Sequence, residues 1–353
     1  MLESGTLGTK GNTQVVVPHV TENYGATRDP PEKSIPVCTL KNFPNQIAHT
    51  LQWARDHFEG IFSQAPEDVN VYLQSPSDLK TESISTVEKF LVSQRPRTYE
   101  DCVRLTRLAY QDLFCNQISQ LLHNFPPDQL TSTGQPFWSG SKRCPSTVPF
   151  DLDKTCEQGL RNAFNFVVSG SNLLASVYGI NGKSLSDEEY FKALVEEIII
   201  PDFTPSDGVK IATTQEEADA ENKKESGDVS AESIENLPKP SELAGFRLTP
   251  IEFDKDIDLH MQFITACSNL RALNYQIPTE DLHVSRGIVG RIIPAIATTT
   301  AMVTGLICLE LYKITFLPQP AKIDVFKSAF CNLAIPFITL SEPTAPASTK
   351  VTF

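Results

Sequence analysis

The sequence predicts an α+β fold, with a mostly helical middle region and short strands near both ends of the chain. From about residue 34 to residue 203, apolar residues recur in steps of three and four, the period of one helix face. Residues 13–17 read as a strand, and further strands are expected within 321–342. A chain of 353 residues is long enough for two ordinary domains and a sizeable core.

Composition and charge restrict the class of protein. A hydrophobic fraction of 40% and a charged fraction of 21% are typical of a soluble globular protein. The net charge of −13 argues against direct nucleic-acid binding, which needs a basic face, and suits a basic protein partner.

The cysteines indicate a reducing compartment. All eight are widely scattered without a C-x-x-C pair, so neither a zinc ribbon nor a redox motif is expected. The N-terminus carries no basic stretch followed by an apolar core. Free thiols in the cytosol or nucleus are the simpler interpretation. The cysteines are Cys38, Cys102, Cys115, Cys144, Cys156, Cys267, Cys308 and Cys331.

Glycines at positions 5, 8 and 11 precede the first predicted strand. Their spacing matches neither a phosphate-binding loop nor a dinucleotide fingerprint, so we interpret the segment as a turn between strands. Asp29-Pro30-Pro31 then marks a linker.

A cysteine precedes the clearest amphipathic helix of the chain. Apolar residues recur at steps of four and three from Ile47 to Ile61, which predicts a helix over this stretch. Pro44 is expected in its first turn, with Asn42 or Asn45 as the cap and Gly60 as the stop. Cys38 is therefore expected in an extended, proline-flanked segment that runs into a helix N-terminus.

This placement gives Cys38 a chemical role to consider. The thiolate is the nucleophilic form, and a helix N-terminus together with Lys41 favours the anion, while Thr39 offers a hydroxyl beside the sulfur. Such a thiol suits attack on an already activated acyl group. The competing interpretation is a small buried hydrophobic residue, the common role of cysteine.

The middle region contains several further helices. Thr98 and Asp101 form a capping-box pattern ahead of a long, irregular apolar stripe that reaches residue 122. Two more helices are predicted near 160–177 and 187–199. Between these helices, residues 136–145 form either an exposed aromatic and cationic binding surface or a packed loop, and the packed loop is favoured.

The last third of the chain changes character twice. Residues 206–245 are acidic and poor in large apolar residues, which predicts a mobile loop. A helix is expected from about Leu259. The uncharged stretch 292–309 is almost long enough to span a membrane, but a buried helix in a soluble core is the favoured interpretation.

The residues around Cys38 resemble a family signature. The run 36–44 reads PVCTLKNFP and is similar at all nine positions to the active-cysteine signature of the ubiquitin-activating enzymes, Pro-x-Cys-Thr-Leu-[Lys/Arg]-x-Phe-Pro. The resemblance extends over nearly the whole chain. The segments that carry it are 2–12, 34–62, 121–144, 265–275 and 292–313.

The resemblance implies roles for individual residues. Cys38 would receive ubiquitin from ubiquitin adenylate as a thioester, with Thr39, Lys41 and Asn42 as supporting residues.

Carboxylates are implied as well. Asp29 is expected either to pair with the basic tail of ubiquitin or to be a solvated linker charge. Asp256 and Asp258 are candidates for the family aspartate that assists the thioester step. Ile257 stands where the family pattern has an aspartate, and the segment is shorter than in the family, so the carry-over to these two residues is incomplete.

The resemblance also implies a domain order. A mostly helical catalytic cysteine domain, 34–285, would be inserted in an incomplete Rossmann-like α/β adenylation domain made of 1–33 and 286–345, with 346–353 as a tail before a ubiquitin-fold domain. The chain is then an internal piece of a longer enzyme. ATP and magnesium would bind in the full-length enzyme and not to this piece, and conjugating enzymes would be partners in cytoplasm and nucleus, without nucleic acid or membrane.

Two other classes of function remain. The chain can act as a non-catalytic binding module or scaffold for ubiquitin or a conjugating enzyme. A cysteine protease is more distant, because none of the eight cysteines lies in a papain or caspase signature.

Overall fold

A computed structural model of the chain shows an α+β fold, as the sequence predicts. The chain forms two compact units, one from Met1–Lys33 with Arg291–Phe353 and the other from Ser34–Gly290. The structure describes residues 1–24, 35–131, 133–156, 159–184, 186–213, 217, 237–290, 296–318 and 321–347. The prediction of a mobile loop within 206–245 falls largely outside these residues.

The larger unit is helical. Its helices are α1 (Val37–Lys41), α2 (Ile47–Phe58), α3 (Ala65–Gln74), α4 (Ile84–Glu88), α5 (Tyr99–Gln111), α6 (Gln117–Asn124), α7 (Asn162–Val177), α8 (Glu188–Glu197), α9 (Asp258–Asn274) and α10 (Leu282–Val289). Single π-helical turns at Glu59–Gln64, Lys89–Ser93 and Asp112–Asn116 extend α2, α4 and α5. The turn at 112–116 explains the irregular apolar stripe, because a π-turn shifts the helical face.

Helices α7 and α9 form the centre of the larger unit. Both are buried on nearly all sides, with α2 and α5 packed around them. Phe263 of α9 illustrates the packing: its ring centroid lies 5.2 Å from that of Phe62 and 5.2 Å from that of Phe166. Aromatic pairs at this distance add to the free energy of burial.

The sequence predicted the wrong start for helix α2. Its N-cap is Gln46, without a side-chain cap hydrogen bond, and Pro44 lies ahead of the helix. Asn42 does not cap because its side chain donates to the Ala212 carbonyl. Asn45 instead donates its backbone N–H to Nδ1 of His49.

Gly60 was also wrongly assigned as the stop. The chain continues helically through Glu59–Gln64 into α3. Phe58 and Phe62, on either side of Gly60, both pack against Phe263. This burial holds the helix together where local propensity favours an end.

The capping box at the start of α5 is confirmed. Asp101 N–H donates to the Thr98 hydroxyl at 3.2 Å, and Thr98 N–H donates to the Asp101 carboxylate at 3.1 Å.

We expect Thr98→Ala to lower the free energy of unfolding by about 1 kcal/mol, the usual effect of losing such a cap. Thr98→Ser, which keeps the hydroxyl, should change stability by a few tenths of that value. Denaturant unfolding followed by tryptophan fluorescence measures this, because both tryptophans, Trp53 and Trp138, lie in the larger unit. An unchanged stability in Thr98→Ala would show that the cap is energetically silent.

The smaller unit is a four-stranded antiparallel sheet with one long helix. Its elements are β1 (Leu2–Leu7), β2 (Lys10–Val15), α11 (Ala297–Phe316), β3 (Ser328–Asn332) and β4 (Phe337–Ser341). The strand order is β1-β2-β3-β4. The register places Leu2 opposite Val15, Gly11 opposite Cys331 and Ala329 opposite Leu340. These described strands pair only with antiparallel neighbours, so a Rossmann-like parent domain stays a prediction.

Two glycines serve the packing of this unit. Gly8 has a φ of 57° in the turn between β1 and β2, so the predicted turn is confirmed at Gly8, whereas Gly5 and Gly11 lie within the strands. Gly11 lies where α11 crosses β2, and a Cβ atom there would come within 2.5 Å of Val303 Cγ1. The helix can therefore approach the strand closely only because position 11 has no side chain.

The prediction of a buried helix near 292–309 is wrong for its described part, residues 296–309. Helix α11 is long and apolar enough to cross a membrane, yet only 17% of its most apolar window is buried. Its buried residues Thr299, Val303 and Glu310 face one side, and Phe316 is 79% exposed. Within the described part of its unit, the sheet covers only one face of this helix.

Candidate active site

Cys38 lies in a short helical turn. Helix α1 contains five residues, and Cys38 is the second of them, so the expected extended segment is wrong. Pro36 explains the turn, because its carbonyl accepts hydrogen bonds from Thr39 N–H at 3.0 Å and Leu40 N–H at 3.1 Å. The Cys38 carbonyl in turn accepts from Asn42 N–H at 2.9 Å.

The far end of α9 anchors this cysteine turn, which we define as residues 37–42. The Arg271 guanidinium donates to the Lys41 carbonyl, and the Tyr275 hydroxyl donates to the Asn42 carbonyl at 2.7 Å. The Asn42 side chain donates to the Ala212 carbonyl at 3.1 Å. These contacts hold main-chain oxygen atoms and the Asn42 amide, while the half-buried Cys38 thiol is free of a disulfide.

Aromatic rings hold Arg271 in place. Its guanidinium carbon lies 4.6 Å from the Trp53 ring centroid and 5.2 Å from that of Tyr275. Arg271 is only 3% exposed. A buried cation between two ring faces is stabilised by cation–π attraction, which partly offsets its lost hydration.

A second aromatic cluster flanks the turn. Phe43 is buried, and its ring centroid lies 5.9 Å from both Phe137 and Trp138. Lys142 Nζ lies 4.9 Å from the Phe43 centroid and 4.5 Å from that of Phe137. The loop at 136–145 is therefore packed against the segment that follows Cys38, as the favoured alternative predicts.

A cleft of about 210 Å³ opens beside the cysteine turn. Lys41 and Asn42 line it on one side, Arg271 and Tyr275 on another, and Ile211 borders it. Its lining combines polar residues, such as Gln117 and Gln120, with apolar ones, such as Ile118 and Leu121.

The other predicted site residues lie in different environments. Thr39 is half-buried and Lys41 is exposed within the cysteine turn. Asp29 lies outside the described residues. Asp256 pairs with Lys255 at 2.9 Å, and Asp258 pairs with Arg286 at 2.6 Å.

The two aspartates are distant from the anchor of the turn. Asp258 begins α9 and Arg271 lies near its end, so at 1.5 Å per residue they are about 20 Å apart along the helix. No hydrogen bond or ion pair of the described residues joins either aspartate to the cysteine turn. Sequence reasoning placed Arg271 and Tyr275 on a helix but gave them no role at the site, because nothing local links them to residue 38.

Four of the other described thiols have raised pKa values. Burial raises the pKa of Cys102 to about 12 and also raises the pKa of Cys115, Cys144 and Cys267. A raised pKa lowers the fraction of thiolate, which is the nucleophilic form. Cys144, in the loop at 136–145, is therefore a weaker candidate for a reactive thiol.

His57, which lies next to Trp53, has a strongly lowered pKa. Burial, and then the charge of Arg271, lower its pKa from 6.5 to about 4. Its ring stacks on Trp53 with centroids 5.5 Å apart. Burial also lowers the pKa of His49 and His260.

We expect the larger unit to lose stability as pH falls from 6.5 towards 4. Below pH 6.5 the unfolded chain protonates His57 and the folded chain does not, so protons favour unfolding. The loss from His57 alone is about 3 kcal/mol once pH reaches the folded pKa of about 4. Denaturant unfolding by tryptophan fluorescence across this pH range measures it. His57→Phe should flatten the dependence by that amount, and an unchanged slope would contradict the assignment.

The described residues contain no group of three His, Cys, Asp or Glu that could hold a metal ion. The fold and site thus define a helical domain that presents a half-buried free thiol on an anchored turn. A family model described as "Ubiquitin-activating enzyme, SCCH domain" matches residues 44–286. The chain belongs to the ubiquitin-activating enzyme family.

Curated relatives agree with this family. The chain is 49% identical to Ubiquitin-activating enzyme E1 1 of Candida albicans, covering 97% of this chain and 34% of the relative. It is 48% identical to Ubiquitin-like modifier-activating enzyme 1 of Homo sapiens, covering 98% and 33%. It is 47% identical to Ubiquitin-activating enzyme E1 1 of Schizosaccharomyces pombe, covering 99% and 35%. The chain thus spans about a third of the length of these relatives.

Proposed function

We propose that this chain carries the thioester step of ubiquitin activation within a longer enzyme. The Cys38 thiolate attacks the C-terminal carbonyl carbon of ubiquitin adenylate. The bond from that carbon to the phosphate oxygen breaks, AMP leaves, and the thiol proton passes to solvent. Ubiquitin is then held as a thioester and transferred to a conjugating enzyme.

The observation that carries this proposal is the anchored cysteine turn. Arg271 and Tyr275 fix the backbone after Cys38 through main-chain oxygen atoms and leave the sulfur for chemistry. Fixing the nucleophile lowers the entropy cost of reaching the transition state. Adenylation has already supplied a good leaving group, so little general-base help is required.

The residues predicted to support Cys38 have different proposed roles. Thr39 and Lys41, in the turn, shape the polarity around the sulfur, and Asn42 fixes the turn through Ala212. The ion pair with Arg286 favours a structural role for Asp258. Direct assistance by Asp256 or Asp258 stays a prediction from the family resemblance, as does pairing of Asp29 with the tail of ubiquitin.

ATP and magnesium are assigned to the full-length enzyme. We expect the chain alone to catalyse no ATP–pyrophosphate exchange.

We assign 34–285 as the catalytic cysteine domain and 1–33 with 286–345 as parts of an adenylation domain. The exposed apolar face of α11 fits this assignment, because further elements of such a domain would cover it. Ubiquitin and conjugating enzymes are the proposed partners, in cytoplasm and nucleus.

A binding module without turnover is the second candidate. The family model begins at residue 44, after Cys38, so the match itself says nothing about the thiol. In this alternative the same domain holds ubiquitin or a conjugating enzyme as a scaffold.

A non-reducing gel separates the two candidates. The chain is incubated with ubiquitin, ATP, magnesium and the separately expressed N-terminal part of one of the relatives. We expect an adduct of the chain with ubiquitin that disappears on reduction. If the folded chain binds the other part and forms no adduct, the binding module is correct.

A further inference from the structure

A cavity of about 110 Å³ lies inside the larger unit, away from the cysteine turn. Side chains from α2, α5, α7 and α9 and from the π-helical turns line it. Its wall is mainly apolar and includes the rings of Phe62, Phe166 and Phe263. An apolar cavity of roughly 150 Å³ in another protein stays dry and binds benzene, so a space of this size suits one aromatic ring.

Two hydroxyl groups in the cavity wall have hydrogen-bond partners, whereas one histidine nitrogen has none. The Thr106 hydroxyl donates to the Cys102 carbonyl at 2.8 Å, and the Tyr178 hydroxyl donates to the Phe90 carbonyl at 2.8 Å. His57 keeps a partly exposed ring, but its Nε2 atom is shielded from solvent and has no hydrogen-bond partner. A buried polar atom without a partner is costly, whichever tautomer it belongs to.

Water suits this cavity poorly. A buried water molecule needs two to four polar partners, and most of this wall is carbon. An aromatic ring, by contrast, contacts the phenyl rings of the wall at favourable distances. A hydroxyl on that ring can both donate and accept, so it can pair with either tautomer of a neutral imidazole.

We propose that this cavity binds a small single-ring aromatic molecule with one hydroxyl group, which pairs with His57 Nε2. The ring packs in the cavity against the side chains of Phe62, Phe166 and Phe263, which line it, and the hydroxyl satisfies the buried nitrogen. A chain of contacts joins the cavity to the cysteine turn. The His57 ring stacks on Trp53, and the guanidinium of Arg271, which anchors the turn, lies over the Trp53 ring.

Phenol and toluene are the matched probes, because they differ only in a hydroxyl and a methyl group of similar size. Titrations of the ¹⁵N-labelled chain, followed by NMR, give both dissociation constants. We expect saturable binding of phenol, with the largest shifts at residues that line the cavity. Absence of saturable phenol binding up to its solubility limit would overturn the proposal.

Two variants locate the ligand. His57→Phe keeps a stacked ring and removes the nitrogen, so the ratio of phenol affinity to toluene affinity should fall about tenfold, as expected for one hydrogen bond. Ala109→Met fills the cavity from α5 and should abolish binding of both probes. Leu174→Phe serves the same purpose from α7 if Ala109→Met does not fold. An unchanged ratio in His57→Phe, or phenol binding retained in a folded filling variant, would contradict the proposed site.

Discussion

Cys38→Ala is expected to abolish the reducible ubiquitin adduct completely. Alanine lacks a nucleophile, and burial raises the pKa of the neighbouring thiol candidate, Cys144, which disfavours its nucleophilic thiolate. The assay is the non-reducing gel with ubiquitin, ATP, magnesium and the N-terminal part of a relative. Ubiquitin adenylate should still form on that part, so the loss falls on the thioester step.

Cys38→Ser gives a sharper version of this test. A serine hydroxyl is a far weaker nucleophile than a thiolate, so the adduct should form slowly. It would be an oxygen ester and should survive reducing agents.

Cys144→Ala is the matched control, because Cys144 is also half-buried and free of a disulfide. It should form the adduct at the wild-type rate. A reducible adduct in Cys38→Ala that disappears in the Cys38→Ala, Cys144→Ala double variant would move the chemistry to Cys144.

Arg271→Leu is expected to slow thioester formation by at least about tenfold, since small displacements of reacting groups have effects of this order or larger. Leucine can still pack between Trp53 and Tyr275, but the Lys41 carbonyl loses its donor. The hydrogen bonds of Asn42 with Tyr275 and Ala212 remain on the cysteine turn.

The measurements on Arg271→Leu must distinguish a displaced cysteine turn from a general loss of folding stability. Replacing a buried cation by a hydrophobic residue removes the cost of its desolvation as well as its contacts. The variant should therefore have a smaller effect on the free energy of unfolding than on the activation free energy of thioester formation. Single-turnover thioester formation at saturating ubiquitin gives the rate, and denaturant unfolding gives the stability. The rate of Cys38 alkylation by iodoacetamide is a readout that needs no ubiquitin.

Arg107→Leu is the matched control for a buried arginine. Arg107 is 8% exposed and lies over the rings of Phe150 and Tyr110, with Gln111 of its own helix as a partner. Its loss should affect stability without slowing thioester formation. Equal slowing in both variants would show that Arg271 acts through general stability and not as a positioning residue.

Much of the fold follows from local patterns. The capping box of Thr98 and Asp101 was predicted from capping chemistry, and the helices at 162–177 and 188–197 from their apolar period. Strands were also expected within 321–342, where the structure has two. These signals act between residues a few positions apart, so they are present in any sequence window. The choice of Cys38 needed the family resemblance, because spacing alone favours a buried hydrophobic role.

The errors have different causes. Gly60 does not end its helix because Phe58 and Phe62 are buried against Phe263, about 200 residues further along the chain, so tertiary contacts overrode a local preference. Helix α11 is mostly exposed because the described sheet packs on one face only, which its apolar composition could not show. The turn at Cys38 is local, with two hydrogen bonds to the Pro36 carbonyl.

The sequence, together with its family resemblance, predicts a mostly helical protein of the ubiquitin-activating enzyme family with a free thiol at position 38. The way in which the turn around that thiol is held is visible only in the folded chain. Arg271 and Tyr275 reach the cysteine turn across separations of 230 and 233 residues, through main-chain oxygen atoms. Every residue has a main-chain oxygen atom, so the side chains around Cys38 cannot predict these contacts. The two segments come together only when the chain folds.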